Sequence, residues 1–351
     1  MNSKLAPAAL FAISLLLFSC QRPLVVDDDQ PDGDAQWELV DYKSDAYIQG
    51  LYATPFELYV ISENSFARLN SNLEIIEKRT FPVANSIPAL SDNTFVRLAT
   101  NAQNRQVVEF HLAHNGSEIF KVLTDTLPTP PGNSLDIETL GNSFGTFSAD
   151  GTLFLMAAKV LPARYYSLFL FDIQQNVQHN AFVSVKITKR IDLTSLDANA
   201  NGVIKNMRFR NGNFYVATQQ GAWRITPAGV ATQQFMQWKE DCFSWLGDLY
   251  MTGTVDYDLD KSIDNGLSWE RVNIGSGLRH VTVADTSIFT QEVSGKFFSL
   301  MPKDFKKAKT IVYPTGTTPN TAVFYGLAYF NDRYYFSIDK DIYVTTKVPT
   351  E

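Results

Sequence analysis

Several groups of residues in this chain have types and spacing that chemistry could use, and each demands a particular local fold. Gly141-Asn-Ser143-Phe-Gly145 fits the Gly-x-Ser-x-Gly pattern of a serine nucleophile. That elbow needs a strand before the serine and a helix after it. Here a Pro-rich stretch precedes it and a strand pattern, Leu153–Ala158, follows, so the serine is not assigned a catalytic role. Asp256, Asp258, Asp260 and Asp264 occupy positions one, three, five and nine of a calcium loop. The sixth position should be glycine, for the sharp turn, and Lys261 stands there. A solvated acidic turn is the better reading, and calcium at Asp256, Asp258 and Asp260 is the alternative. Asp197-x-Asn199-x-Asn201-Gly202 opens a second such loop, but Lys205 and Arg208 fall where its later ligands belong. His111, His114, His179 and His280 show no metal spacing. Cys242 lies in the alternating run Asp241–Trp245 and reads as a buried small hydrophobe. No catalytic residue, metal ligand or cofactor is assigned.

What would position any site is legible in the composition. Of 351 residues, 45% are hydrophobic and 13% aromatic, with 25 Phe and 15 Tyr, which supports a sizeable core. The net charge of −7 argues against nucleic acid or an anionic lipid surface as a main partner of the chain as a whole. No ordinary amphipathic helix is found after Trp37. Short runs such as Glu57–Ile61, Asn213–Ala217, Asp248–Thr252 and Arg333–Ser337 recur between polar turns. Alternation inside short segments between turns predicts an all-β fold.

The runs also repeat as units of four strands. Ile48–Ala53, Glu57–Ser62, Phe66–Asn70 and Glu74–Thr80 form one unit; further copies begin near residues 86, 143, 204, 240, 278 and 323. A spacing of about 36–38 residues between the more regular copies is that of β-propeller blades. Leu127–Gly141 and Ile187–Gly202 read as insertions. The last copy has three strands, and Gln36–Tyr42 has no local partner, so it would complete the last blade and close the ring. Seven four-stranded blades are expected, with six as the alternative, in one domain spanning 36–351.

Residues 1–19 read as a signal peptide: Lys4, then an apolar run too short to span a bilayer. The ending Leu17-Phe18-Ser19-Cys20 resembles a bacterial lipobox, which implies lipidation of Cys20 with palmitate among its chains. Phe18 is bulkier than the residue usual there. Gln21 after the cysteine implies the outer membrane or cell surface. Residues 20–35, with Asp27, Asp28, Asp29, Asp32 and Asp34, read as an acidic flexible tether.

One motif carries a second resemblance. Ser262-Ile-Asp264-Asn-Gly266-Leu-Ser268-Trp269 is similar to the Asp-box (BNR) repeat of sialidase-type propellers, where it forms the turn between a blade's two outer strands. That family's activity would need three clustered arginines, a Tyr–Glu nucleophile pair and an acidic donor. Its early arginine motif is replaced by Pro55-Phe56-Glu57-Leu58, and Arg68, Arg97, Arg164, Arg208 and Arg279 are scattered.

Propellers bind ligands at one end of the channel, through loops between blades and between second and third strands. The long loop Lys159–Tyr166 and the Pro-rich insertion should share that rim. Arg164, Tyr165, Tyr166, Asp136 and Glu138 are therefore the expected contacts to a glycan or envelope protein. The expected function is a monomeric, lipid-anchored, non-catalytic binding module; the alternative is a glycan-acting hydrolase or lyase.

Overall fold

Turn chemistry sets the hairpins. At Asn211-Gly212 both residues take positive φ, 46° and 78°, and at Leu246-Gly247 the values are 50° and 90°. This is the geometry of tight two-residue hairpins, so the aromatic and β-branched runs beside them fold back as antiparallel pairs. The computed structural model describes residues 36–82, 89–137, 144–176, 178–197, 203–253, 258–274, 278–291, 298–314, 317 and 326–350.

The strands build a seven-bladed ring. The first strand among the described residues is β1 (Glu38–Lys43), followed by blade one, built from β2 (Ile48–Ala53), β3 (Leu58–Ser62), β4 (Ser65–Leu69) and β5 (Ile75–Thr80). Blade two is β6 (Ala89–Leu90), β7 (Thr94–Thr100), β8 (Gln106–Leu112) and β9 (Asn115–Leu123). Blade three has an extra strand: β10 (Ser134–Asp136), β11 (Gly145–Phe147), β12 (Leu153–Leu161), β13 (Tyr165–Asn176) and β14 (Ala181–Leu193). Blade four is β15 (Ile204–Arg210), β16 (Asn213–Thr218), β17 (Gly221–Ile225) and β18 (Ala231–Phe235). Blade five is β19 (Asp241–Trp245), β20 (Asp248–Thr252), β21 (Leu259–Ser262) and β22 (Glu270–Val272). Blade six is β23 (Arg279–Ala284), β24 (Ser287–Gln291), β25 (Phe298–Met301) and β26 (Lys309–Thr310). Blade seven is β27 (Leu327–Phe330), β28 (Arg333–Ile338) and β29 (Asp341–Thr345), and β1 is its outer strand.

β1 pairs antiparallel with β29, Glu38 opposite Val344 and Lys43 opposite Asp341. Trp37 Nε1 donates to Val312 O at 2.7 Å and its ring meets Phe336 edge-on. The ring is thus closed by the first strand of the described chain, and the six-bladed alternative falls.

Each blade-to-blade seam has its own apolar core. Val108 and Phe110 of blade two meet Phe154, Phe169 and Phe171 of blade three; Leu168 and Leu170 on the opposite face meet Phe214 and Val216 of blade four. Because side chains alternate across a strand, one blade serves two seams. Middle strands such as β3 and β4 are buried at every position. The large aliphatic and phenyl side chains among them, such as Leu58, Val60 and Phe66, each contribute about 1.5–3 kcal/mol.

Strands alternate in direction, so connections fall on two ends of the ring. Turns joining first to second and third to fourth strands lie on one, the turn end. Loops joining second to third strands, and those between blades, lie on the other, the rim end. Two expected insertions are corrected here. Residues 187–193 are strand, the second half of β14, paired with β13 as far as Leu193 opposite Tyr166. Within 127–137, Ser134–Asp136 is a strand as well.

Candidate binding rim

Blade three extends further at the rim end than blades one and four. In blades one and four the second and third strands are joined by two residues, Glu63-Asn64 and Gln219-Gln220. In blade three β12 and β13 keep pairing to Val160 opposite Tyr165. The strand β10 then adds to the inner edge, Ser134 opposite Leu161 and Asp136 opposite Lys159. The loop expected at Lys159–Tyr166 is therefore mostly ladder, closed by Arg164 N donating to Val160 O at 2.7 Å. Arg164 takes a φ of 64° and is exposed at the tip.

The structure brings Asp136, Arg164 and Tyr165 onto this one wall. Asp136 and Tyr165 are half-buried. Tyr165 Oη accepts from Arg190 Nη2 at 3.1 Å. Arg190 also holds Asp192 through two hydrogen bonds, at 2.8 and 2.9 Å, and donates to Pro128 O at 3.1 Å. That last bond pins the Pro-rich segment to blade three. Tyr166 corrects the expectation: it is fully buried in the seam with blade four. Consecutive strand residues face opposite ways, so Tyr165 and Tyr166 cannot both look outward. Glu138 lies outside the described residues, as do Cys20 and the tether.

Beside this wall, blade two carries a cleft of about 660 Å³ lined by Phe81, Arg97, Asn101, Glu109, His111 and Lys121, among others. Arg97, Glu109 and Lys121 sit opposite one another across three strands. Glu109 lies 3.3 Å from Arg97 Nε, 3.3 Å from His111 Nε2 and 2.9 Å from Lys121 Nζ. Burial alone would raise the Glu109 pKa; hydrogen bonds from His111 and Lys121 and the charge of Arg97 outweigh it and hold the carboxyl down at about 2. Burial pushes the His111 imidazole below its usual value, partly offset by Glu109, and the ring stacks on Phe95 at 4.6 Å. Sequence reasoning missed this cluster. Its signal was two ionisable residues, Glu109 and His111, alternating with Val108 and Phe110 on one strand.

The other motifs resolve into structural parts. Asp258 is ion-paired with Arg271; Asp260 is held by Lys239 and by Arg271 Nε at 3.2 Å. These carboxylates face cationic side chains and do not converge on an open centre; Asp256 lies outside the described residues. Ser143 also lies outside them, and Gly145 opens a strand, β11, where a nucleophile elbow requires a helix. Lys205 sits over the Trp238 ring at 5.1 Å. Cys242 is buried and burial pushes its thiol pKa up, which removes its nucleophilicity.

Ser262–Trp269 forms the turn between β21 and β22, at the turn end and so away from the rim. Asp264 accepts from Ser268 Oγ at 2.6 Å and from Ser268 N at 2.8 Å, and Ser262 Oγ donates to it at 2.8 Å. These bonds, Ser268's first, pull its carboxyl down to about 2. Gly266 has a φ of 75° and passes so close to Tyr215 that a Cβ would lie 2.5 Å from its hydroxyl. Trp269 packs edge-on against Phe235 at 5.2 Å in the seam between blades four and five.

The arginines are not gathered. Arg68 grips Glu57 through two bonds and Glu77 through a third; Arg208 grips Asp241. With Arg97 and Arg164 they lie in four different blades. The Arg279 side chain lies outside what is described.

No protein-family model matches the chain, and no curated protein matches its sequence. Solved structures match in fold. The β-propeller domain of Cps50 (Swd1) from Myceliophteria thermophila is similar at TM-score 0.56 and 8% identity, over 89% of this chain and 100% of that one. The WD40 domain of Neurospora crassa Pan2 reaches 0.52 at 10% identity, over 89% and 96%. The extracellular domain of a putative hybrid two-component system from B. thetaiotaomicron reaches 0.53 at 8% identity, over 89% of this chain. This chain spans 40% of that domain's length.

Proposed function

We propose that the chain is a lipid-anchored bacterial envelope propeller acting as a non-catalytic binding module, with its rim end presented to a glycan or protein partner. The observation that carries this is the wall at blade three. Strands β10, β12 and β13 extend past what ring packing requires and display Asp136, Tyr165 and Arg164 at their end. Strand-built walls hold contact residues more rigidly than loops do. The lipobox-like Leu17–Cys20 supports the anchor, and the fold likeness to a bacterial extracellular domain supports the location.

The state of the carboxylates favours binding over hydrolysis. A glycosidase needs one carboxyl that keeps its proton near neutral pH and a second about 5–9.5 Å away. Glu109, held at about 2, cannot be that acid, and Asp192, Asp241 and Asp260 are each paired with a protein cation.

A photo-crosslinking residue placed at 163, next to Arg164, should in cells capture a discrete partner, while the same residue at 246 on the turn end should not. Equal capture at both positions, or at neither, overturns the rim assignment. Conversion of an oligosaccharide by the purified protein overturns the non-catalytic reading. Labelled palmitate should disappear in Cys20→Ala; its persistence removes the anchor.

A further inference from the structure

The turn end carries features that neither the ring nor the rim uses. In blade five, Ile263, Leu267 and Leu246 are 77%, 70% and 53% exposed, all on turn tips. Their backbone is held firmly: Asp264 organises the turn from Ser262 to Ser268, and Asn211 Nδ2 reaches Asn265 Oδ1 at 3.1 Å. Large apolar side chains on rigid tips, with nothing packed over them, mark a surface that meets an apolar medium. In blade six the corresponding turn exposes Lys303, Lys306 and Lys307 against a single acid, Asp304, which lies 3.5 Å from Lys306. Apolar tips beside lysines match the layered chemistry of a bilayer surface, hydrocarbon beneath anionic headgroups.

The position of β1 says which way this end faces. Glu38 is bonded to Arg333 at 2.5 Å, at the first turn of blade seven. The start of β1 also shares a cleft with Asn72, Leu73 and Glu74, the outer turn of blade one. The chain therefore enters the ring at the turn end, between blades seven and one. Residues 20–35 can reach at most about 55 Å, since a fully extended chain spans roughly 3.3–3.6 Å per residue. So short a leash holds the ring at high effective concentration over whatever Cys20 is embedded in, and weak contacts then suffice to orient it.

We propose that the turn end of blades five and six docks on the phospholipid surface that holds the anchor, Ile263 and Leu267 entering the interface and Lys303, Lys306 and Lys307 meeting anionic headgroups. This rests on the lipid-anchor reading and adds an orientation: the rim end then points away from the membrane.

The test uses the full lipidated protein on vesicles of phosphatidylethanolamine and phosphatidylglycerol. An environment-sensitive fluorophore is attached through Leu267→Cys or, separately, Arg164→Cys; Cys242 is buried and stays unlabelled. The label at 267 should shift to the blue and be quenched by brominated acyl chains, and that at 164 should show neither. Lys306→Glu with Lys307→Glu should reduce the quenching at 267. If the label at 267 is as water-exposed as that at 164 while the protein floats with the vesicles, docking is wrong and the anchor stands. A blue shift without quenching means that a second copy covers the tips, and also overturns the proposal. Absence of palmitate at Cys20 removes the anchor and this orientation together.

Discussion

The two ends of the ring are built from the same hairpins but differ in how they treat polar groups. Towards the rim end, charged side chains that alternate with seam-packing residues are paired across strands: Arg97–Glu109–Lys121 in blade two, Arg190–Asp192 with Tyr165 in blade three. At the turn end, the best-organised segment, Ser262–Trp269, spends its polar groups on its own backbone and leaves apolar tips outward. On the reading proposed above, the difference separates recognition from attachment. One end offers charged and aromatic groups fixed by a sheet; the other offers, in blades five and six, stiff apolar tips beside exposed lysines.

Five measurements would break or sharpen this contrast. Tyr166→Ala should cost about 3–5 kcal/mol, as for other large aromatic-to-alanine changes in cores; a loss below 1 kcal/mol by denaturant titration would return Tyr166 to the rim surface. Glu109→Ala should cost about 3 kcal/mol because it strands Arg97 in a buried position. The same site sets a pH dependence. Glu109 is held well below its ordinary 4.5 and His111 below 6.5 in the folded state, so their stabilisation is complete above those values and lost as pH falls. Stability should therefore decline from about pH 6.5 downward, and Glu109→Ala should flatten the part below about 4.5. Gly266→Ala at the turn end should cost on the order of 1–3 kcal/mol, from a strained φ and the approach to Tyr215. Arg164→Ala should change stability by less than about 0.5 kcal/mol while abolishing the crosslinking partner's capture, the smallest effect on folding and the one most telling for function.

Much of the ring was legible in the chain. Turn pairs such as Asn211-Gly212 and the repeat of aromatic runs fix the blades, and an orphan strand at Gln36–Tyr42 pointed to the closure with β29. What was not legible depended on register. Nothing local says that β12 and β13 keep pairing to Tyr165, so a continuing ladder read as a loop and Tyr166 as a surface residue. Nor could the Arg97–Glu109–Lys121 row be seen, since its members are brought opposite one another only by the β7–β8–β9 alignment. The structure does bring Asp136, Arg164 and Tyr165 onto one wall of blade three, while the charged row of blade two was not foreseen.

The closing strand has a consequence for how the molecule comes into being. β1 is made before any blade, and its partner β29 is made after all the others. During synthesis β1 must wait, without its final partner, until β29 at the far end of the described chain arrives. Contacts of such long sequence separation form slowly, and an idle strand edge is prone to pair with the wrong neighbour. The acid-rich residues just ahead of it, Asp27 to Asp34, give that waiting segment a mutual repulsion between sister chains. The ring's last step is therefore also its most exposed one.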